Sequence, residues 1–310
     1  MSDFITTSFV QDYKTTVMML SQQMGSRLRG LVTTDTYIGK AGKAVEQFGI
    51  TRAQKRLARH ADTPIMDVPQ GSRWVFPVDY EWADLIDDQD KLRMAIDPTS
   101  PIAQAGAVAM GRAIDDEILA AFYADAKGGQ NGTTTISFGN APITGQTVTA
   151  SQLVSTDVGG TATGMNVEKL REGKRILMAN NVDLDQEEIW CIITSKEHDA
   201  LLGLTQVTST DFNDRPVLVD GKVVRFLGIN FKHMEFTDTN SFANTASMLN
   251  STARLVPMFT PKAMHLGIWE DTVAKMSERE DKGYAIQVYL RQTIGATRID
   301  ESRIVQITCT

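Results

Sequence analysis

The sequence predicts an α+β fold, and three patterns in it carry that prediction. Apolar residues recur every three or four positions near 9–24 and again across 101–126. Aromatic residues alternate at period two from Trp74 to Trp82, and strand-type runs dominate from Arg254 to the C-terminus. At 310 residues the chain exceeds the usual size of one compact domain, so two lobes, or one domain with large extensions, are expected.

Phe9, Tyr13, Val17, Leu20 and Met24 form the stripe of an amphipathic helix. Such a stripe needs cover, either from its own domain or from a neighbouring subunit on which the segment lies as an arm. A basic run then follows (Arg52, Lys55, Arg56, Arg59, His60), and an acidic run occupies 79–90 (Asp79, Glu81, Asp84, Asp87, Asp88, Asp90). Between the runs, Ser72-Arg-Trp-Val-Phe-Pro-Val-Asp-Tyr-Glu-Trp82 reads as a strand with Trp74, Phe76, Val78, Tyr80 and Trp82 on one face. Pro77 places it at an edge. With Pro64–Val68 as the return strand and Gly71 at the tip, the segment predicts a projecting hairpin.

Asp97-Pro98-Thr-Ser100-Pro101 opens a helix, with Ser100 as N-cap and Pro101 at the first helical position. Run to Ala126 it would be roughly 39 Å long at about 1.5 Å per residue. Met110, Ile114, Ile118 and Phe122 make its apolar ridge, and Arg112 and Asp116 are spaced to pair on another face. Residues 127–164 are rich in Gly, Thr, Ser and Asn and read as a loop-dominated connection, with short strands near 135–138 and 147–154. Beyond it, Asn166 caps a helix, Ile189–Ile193 is a buried strand, and Thr194 with Glu197 is a capping box. Asp220-Gly221 closes an expected hairpin over Val217–Phe226.

Charge and motifs exclude more than they assign. With 38 acidic against 31 basic side chains, the net charge of −7 argues against a surface that tracks phosphate. Cys191 and Cys309 lie in apolar runs and behave as small buried hydrophobes, which fits a reducing compartment and no disulfide. No export signal or membrane-length apolar run is present, so a soluble protein is expected. Ser195, His198 and Asp199 have hydrolase residue types, but they share one helix start and no nucleophile elbow accompanies them. The histidines (His60, His198, His233, His265) lack zinc spacing, and the 79–90 run lacks the glycine and glutamate of a calcium loop. No Walker A loop or dinucleotide fingerprint occurs, so neither metal nor cofactor is expected. The basic run at 52–60 lacks interleaved aromatics, and pairing with the acidic run, within or between subunits, suits it better than nucleic acid.

The order of these features, together with specific stretches, resembles the major capsid proteins of tailed bacteriophages and their Hong Kong 97-type fold. The stretches are Arg73-Trp-Val-Phe-Pro-Val-Asp-Tyr-Glu-Trp-Ala-Asp-Leu-Ile-Asp-Asp-Gln-Asp-Lys-Leu92, Ala109-Met-Gly-Arg-Ala-Ile-Asp-Asp-Glu117, Leu218-Val-Asp-Gly-Lys-Val223, Leu266-Gly-Ile-Trp269 and Glu278-Arg-Glu-Asp-Lys282. Coat proteins of short-tailed phages are the group they resemble. The resemblance implies an N-terminal arm (1–50), an extended loop (51–84), a peripheral domain with a long spine helix (85–165 and 270–297) and an axial domain (166–269 and 298–310). It implies a non-enzymatic subunit that self-assembles into hexamers and pentamers of an icosahedral head around DNA, without sequence-specific DNA binding and without a membrane. Partners implied are a separate scaffolding protein, a portal protein and, in shells that carry one, a decoration protein. The location implied is the virion capsid, assembled in the host bacterial cytoplasm. No residue is assigned to the cross-linking chemistry of some relatives.

The candidate subunit-interface residues are Phe9, Tyr13, Val17, Leu20 and Met24 of the arm, Arg52, Arg56, Arg59, Asp87 and Asp88 of the charge runs, and Gly71, Trp74, Phe76, Tyr80 and Trp82 of the hairpin. A phage tail or connector protein, which would form tubes or rings, and an intracellular hydrolase, which would need a pocket and turnover, are the competing readings.

Overall fold

The computed structural model describes residues 23–56, 58–59, 62–63, 65–87, 99–140, 151–158, 163–204, 221–235, 248–250 and 253–310. The expected arm helix therefore lies, apart from its last residues, outside the described residues, as do His60, Asp88 and Asp90. In chain order the elements are β1 (Thr33–Thr36), β2 (Gly42–Phe48), β3 (Gln70–Val75), β4 (Val78–Ile86), α1 (Thr99–Tyr123), β5 (Ala126–Gly128), β6 (Thr134–Ile136) and β7 (Leu153–Val154). They continue with α2 (Val167–Ala179), β8 (Ile189–Ile193), α3 (Ser195–Leu202), β9 (Arg225–Phe226), β10 (Ile229–His233), β11 (Leu249–Asn250), β12 (Ala253–Phe259), β13 (Met264–Arg279), β14 (Ala285–Arg298) and β15 (Ile304–Cys309). The result is an α+β chain, as the sequence predicts.

Two compact units form. The smaller comprises the described residues of Met1–Ser26 with Asp79–Arg112 and Glu270–Gln292. The larger comprises Arg27–Val78, Ala113–Trp269 and Thr293–Thr310. In the smaller unit, Ile86, Met110, Val288 and Leu290 make a core flanked by Tyr80, Trp82, Ile102 and Ala103. The Trp82 ring lies directly on the α1 backbone at Gly106, where a Cβ would come within 2.6 Å of it. Helix α1 ends at Tyr123, three residues short of the expected Ala126, because Ala126–Gly128 joins a sheet instead. It starts at Thr99, so Pro101 falls within the first turn, where its missing N–H has no intrahelical acceptor to lose. The ridge residues Met110, Ile114, Ile118 and Phe122 are all buried.

In the larger unit, seven strands form one sheet in the order β7-β15-β12-β8-β10-β9, with β11 also on β12. Its inward residues, among them Cys191, Ile193, Val256, Met258 and Ile307, pack against Leu170, Ile176 and Leu177 of α2 and Leu201 of α3. Asn166 caps α2, accepting from Lys169 N at 2.7 Å. Gly173 lets Met258 approach: a Cβ there would lie 3.1 Å from its thioether. The Thr194–Glu197 capping box is present on α3, and Glu197 also pairs with Arg254.

The tight turn that the structure describes in the larger sheet falls at Leu227-Gly228 (φ 52° and 79°), joining β9 to β10. The first arm of the hairpin expected over Val217–Phe226, with Asp220, lies outside the described residues; Gly221 has a φ of 64°, and Lys222, Val223 and Val224 are outside any strand. The other expected hairpin is corrected: the 72–82 strand does not pair back on the described residues of 64–68. Gly71 is no tip: it sits within β3 opposite Gln47 of β2, and β3 pairs with β5 on its other side. The strand itself breaks at Phe76-Pro77, after which β4 joins the sheet ordered β1-β13-β14-β4. Proline cannot continue a ladder. At the break the Phe76 carbonyl occupies the space a Cβ on Gly295 would need, 2.1 Å away.

Candidate assembly surfaces

The β2–β3 ladder, extended by Gly49 N donating to Pro69 O at 2.7 Å, carries the long connection 49–69 at its end. The described residues of this connection form no helix or strand. Ile50 (77% exposed), Ile65 (97%), Met66 and Val68 show apolar side chains to solvent. Arg52, Lys55, Arg56 and Arg59 are exposed alongside them, and Arg56 is folded onto the carbonyls of Ala58 and Arg59. Structureless connections this long are unusual in compact domains and mark binding segments.

The root of that hairpin is held rigidly. Arg73, in β3, is fully buried and pairs with the equally buried Glu301, whose second oxygen lies 3.4 Å from Arg298 Nε. Arg298 then caps the C-terminus of α1: its Nη1 donates to Ala121 O and Phe122 O at 3.2 and 3.1 Å, and Nη2 to Ile136 O. The negative end of the helix dipole thereby offsets the surplus positive charge of two arginines around one carboxylate. Burial pushes both guanidinium pKa values down and the Glu301 pKa up, while the opposite charges resist each shift. Gln152 donates to the Glu301 carbonyl and Gln47 to the Ile299 carbonyl, tying the start of β7 and β2 to the same point. None of Arg73, Glu301 and Arg298 stands among the interface candidates read from the sequence. The one signal is that Arg73 shares the inward face of β3 with buried Val75.

The interface candidates are distributed unevenly. Trp74 is half-buried, donates from Nε1 to Gly129 O at 2.8 Å, and covers Gly132, whose φ of +69° brings the loop beneath the ring. Tyr80 and Trp82 pack on the small core. Phe76 (42% exposed), Val78, Met24 and Asp87 face solvent, and Gly71 is half-buried. Phe9, Tyr13, Val17, Leu20 and Asp88 lie outside the described residues.

The Ser195–Asp199 segment is occupied with structure. Ser195 N donates to Glu235 Oε1 at 2.7 Å, and His198 Nε2 accepts from Val223 N at 3.2 Å, which puts the neutral ring's proton on Nδ1. His265 is buried between Thr33 Oγ1 (3.2 Å) and Tyr37 OH (2.8 Å). Cys191 and Cys309 are buried and free, and burial raises both thiol pKa values, Cys309 to about 12. Thiols held protonated in this way are inert.

A chain with a long spine helix, an anchored extended hairpin and a strand-rich C-terminal lobe now has a counterpart among known proteins. The sequence profile of the family described as phage capsid protein matches residues 5–310. The chain belongs to the phage capsid protein family. No curated protein sequence matches it. Among solved structures, the capsid of cyanophage P-SCSP1u is similar at a TM-score of 0.75 and 13% identity, over 98% of this chain and 94% of that one. The capsid protein of cyanophage Pam1 matches at 0.69 and 14%, over 100% and 99%. The acid-stable capsid of Helicobacter pylori bacteriophage KHP30 matches at 0.67 and 11%, over 99% and 97%. Likeness at such low identity is a likeness of fold, and the fold is the Hong Kong 97 type. This capsid protein therefore has a family shown by its sequence and a fold shown by its structure.

Proposed function

We propose that the subunit assembles into hexamers and pentamers through heterologous head-to-tail contacts, in which extended segments overlap neighbouring copies. The observation that carries this reading is the 49–69 connection: its apolar side chains are bare, while its root is fixed by the buried Arg73–Glu301–Arg298 cluster. A rigid root confines where the segment's bare apolar side chains can reach, which lowers the cost of docking them on a partner. Obligate interfaces of this kind bury on the order of 2,000–5,000 Å², so stability comes from summed area.

The division by role follows the same reading: arm 1–50, extended loop 51–84, peripheral domain 85–165 with 270–297, axial domain 166–269 with 298–310. Phe9, Tyr13, Val17, Leu20 and Met24 would lie on a neighbour, as would Phe76. Arg52, Arg56, Arg59, Asp87 and Asp88 would set register between copies. Trp74, Tyr80, Trp82 and Gly71 contribute by holding the adjoining strands in place. A separate scaffolding protein, a portal and, in some shells, a decoration protein complete the assembly in the host bacterial cytoplasm, and the DNA is enclosed without sequence-specific contacts. The chain acts without catalysis. Electron microscopy of purified protein, with and without a candidate scaffolding protein, tests this: closed shells are expected, and tubes or isolated rings would assign the chain to a tail or connector.

A further inference from the structure

We propose that a basic cleft beside the start of α3 is the receptor for the acidic Asp84–Asp87 edge of a second copy of this chain. The inference rests on the self-assembly reading and assigns to it one specific contact.

The cleft lies within the larger unit and encloses about 530 Å³. Arg27, Lys222 and Lys232 line it with His198 and His233, a concentration of basic groups in a chain of net charge −7. Ile193, Val223 and Phe231 add an apolar floor and are almost wholly buried. Among the described residues, the ion pairs leave out Arg27, Lys222 and Lys232. The nearby carboxylate, Glu235, is engaged by His233 Nε2 at 2.8 Å and Ser195 N at 2.7 Å. Three permanent positive charges above an apolar floor fit a ligand with two or three negative charges and one apolar group. The volume is that of a small-ligand pocket, roughly 300–1,000 Å³, which suits a short peptide segment and excludes a nucleic-acid duplex.

The chain itself carries a matching segment. Asp84, Leu85 and Asp87 are exposed, Leu85 at 44%, while Ile86 between them is anchored in the small core. By strand alternation Leu85 shares a face with Asp87, while Asp84 shares the face of Ile86. No basic residue interrupts 79–90. β4 is the last strand in its sheet order, so among the described residues one of its edges has no neighbour within that sheet. Leu85 and Asp87 would enter the cleft together, with Asp87 meeting Lys222, Lys232 and Arg27 and Asp84 at the rim.

Fluorescence anisotropy of a labelled peptide with the sequence Trp82–Gln89 reads this contact without requiring shells. Unassembled wild-type subunits should bind it, and Lys222→Glu/Lys232→Glu should weaken binding at least about tenfold with an unchanged melting temperature. Absence of binding to the wild type, or binding indifferent to the reversal, overturns the proposal. In assembly, Asp84→Lys/Asp87→Lys should cut the yield of closed shells about tenfold, and adding Lys222→Glu/Lys232→Glu should restore it to within about twofold. Restoration by Arg56→Glu/Arg59→Glu instead would assign the acidic edge to the basic connection and overturn the cleft as its receptor. Peptide binding by a protein that never forms shells would support the contact while refuting the shell reading.

Discussion

Glu301 is the sole acidic member of a fully buried Arg73–Glu301–Arg298 cluster, so its charge has consequences out of proportion to its size. Replacing a buried pair wholesale can be neutral, but removing one partner strands the others. Glu301→Gln should therefore destabilise the subunit by about 3–5 kcal/mol in urea unfolding; a loss below about 1 kcal/mol would show that the arginines need only the α1 carbonyls. His265 gives a pH dependence of known sign. Burial lowers its pKa, with Asp35 opposing, so the unfolded chain takes the proton more readily. Its contribution is complete above the unfolded value of about 6.5 and declines as pH falls through that value towards the lower folded one. The slope for one group is at most about 1.4 kcal/mol per pH unit. The difference in stability between wild type and His265→Gln should shrink between pH 7.5 and 5; a constant difference would contradict the assignment. Charged residues such as Arg73 and Arg298 were illegible as core from sequence because arginine is a surface residue by default. Only the tertiary fold brings the helix end and the carboxylate to them.

Elements whose signals are local were legible: the Asn166 cap, the Ile189–Ile193 strand, the Thr194–Glu197 capping box and the α1 ridge. What failed was pairing. The period-two pattern of 74–82 is real, yet it says nothing of which strands lie alongside, and Pro77 divides it between two sheets. The Leu227-Gly228 turn is hidden in the sequence because leucine is no turn former. Two substitutions of opposite sign follow. Leu227→Gly should stabilise by about 0.5–1 kcal/mol, since leucine at φ 52° is strained. Gly295→Ala should destabilise by about 3 kcal/mol, the upper end for overpacking, because its Cβ meets the Phe76 carbonyl. Thermal melts of both variants check this, and a tolerated Gly295→Ala would mean that the β3–β4 break lies farther from β14 than described.

At the scale of the whole molecule, the proposed reading gives the bare apolar surface to assembly and the buried clusters to the subunit. Removing residues 1–24 should leave a cooperative, soluble subunit that fails to form stable shells; loss of cooperative unfolding would place the arm in the monomer core instead. The 49–69 connection separates the two roles most cleanly, because the ladder beneath it is closed by Gly49 and Pro69 and anchored at Arg73. The region to shorten is therefore 51–67, leaving β2 and β3 whole. The most direct measurement is sedimentation and electron microscopy of a protein in which 51–67 is replaced by a short Gly-Ser turn, beside its thermal unfolding. A cooperative melt within a few degrees of the wild type, with no closed particles, is the predicted result, and shells of normal size from the shortened protein would contradict it.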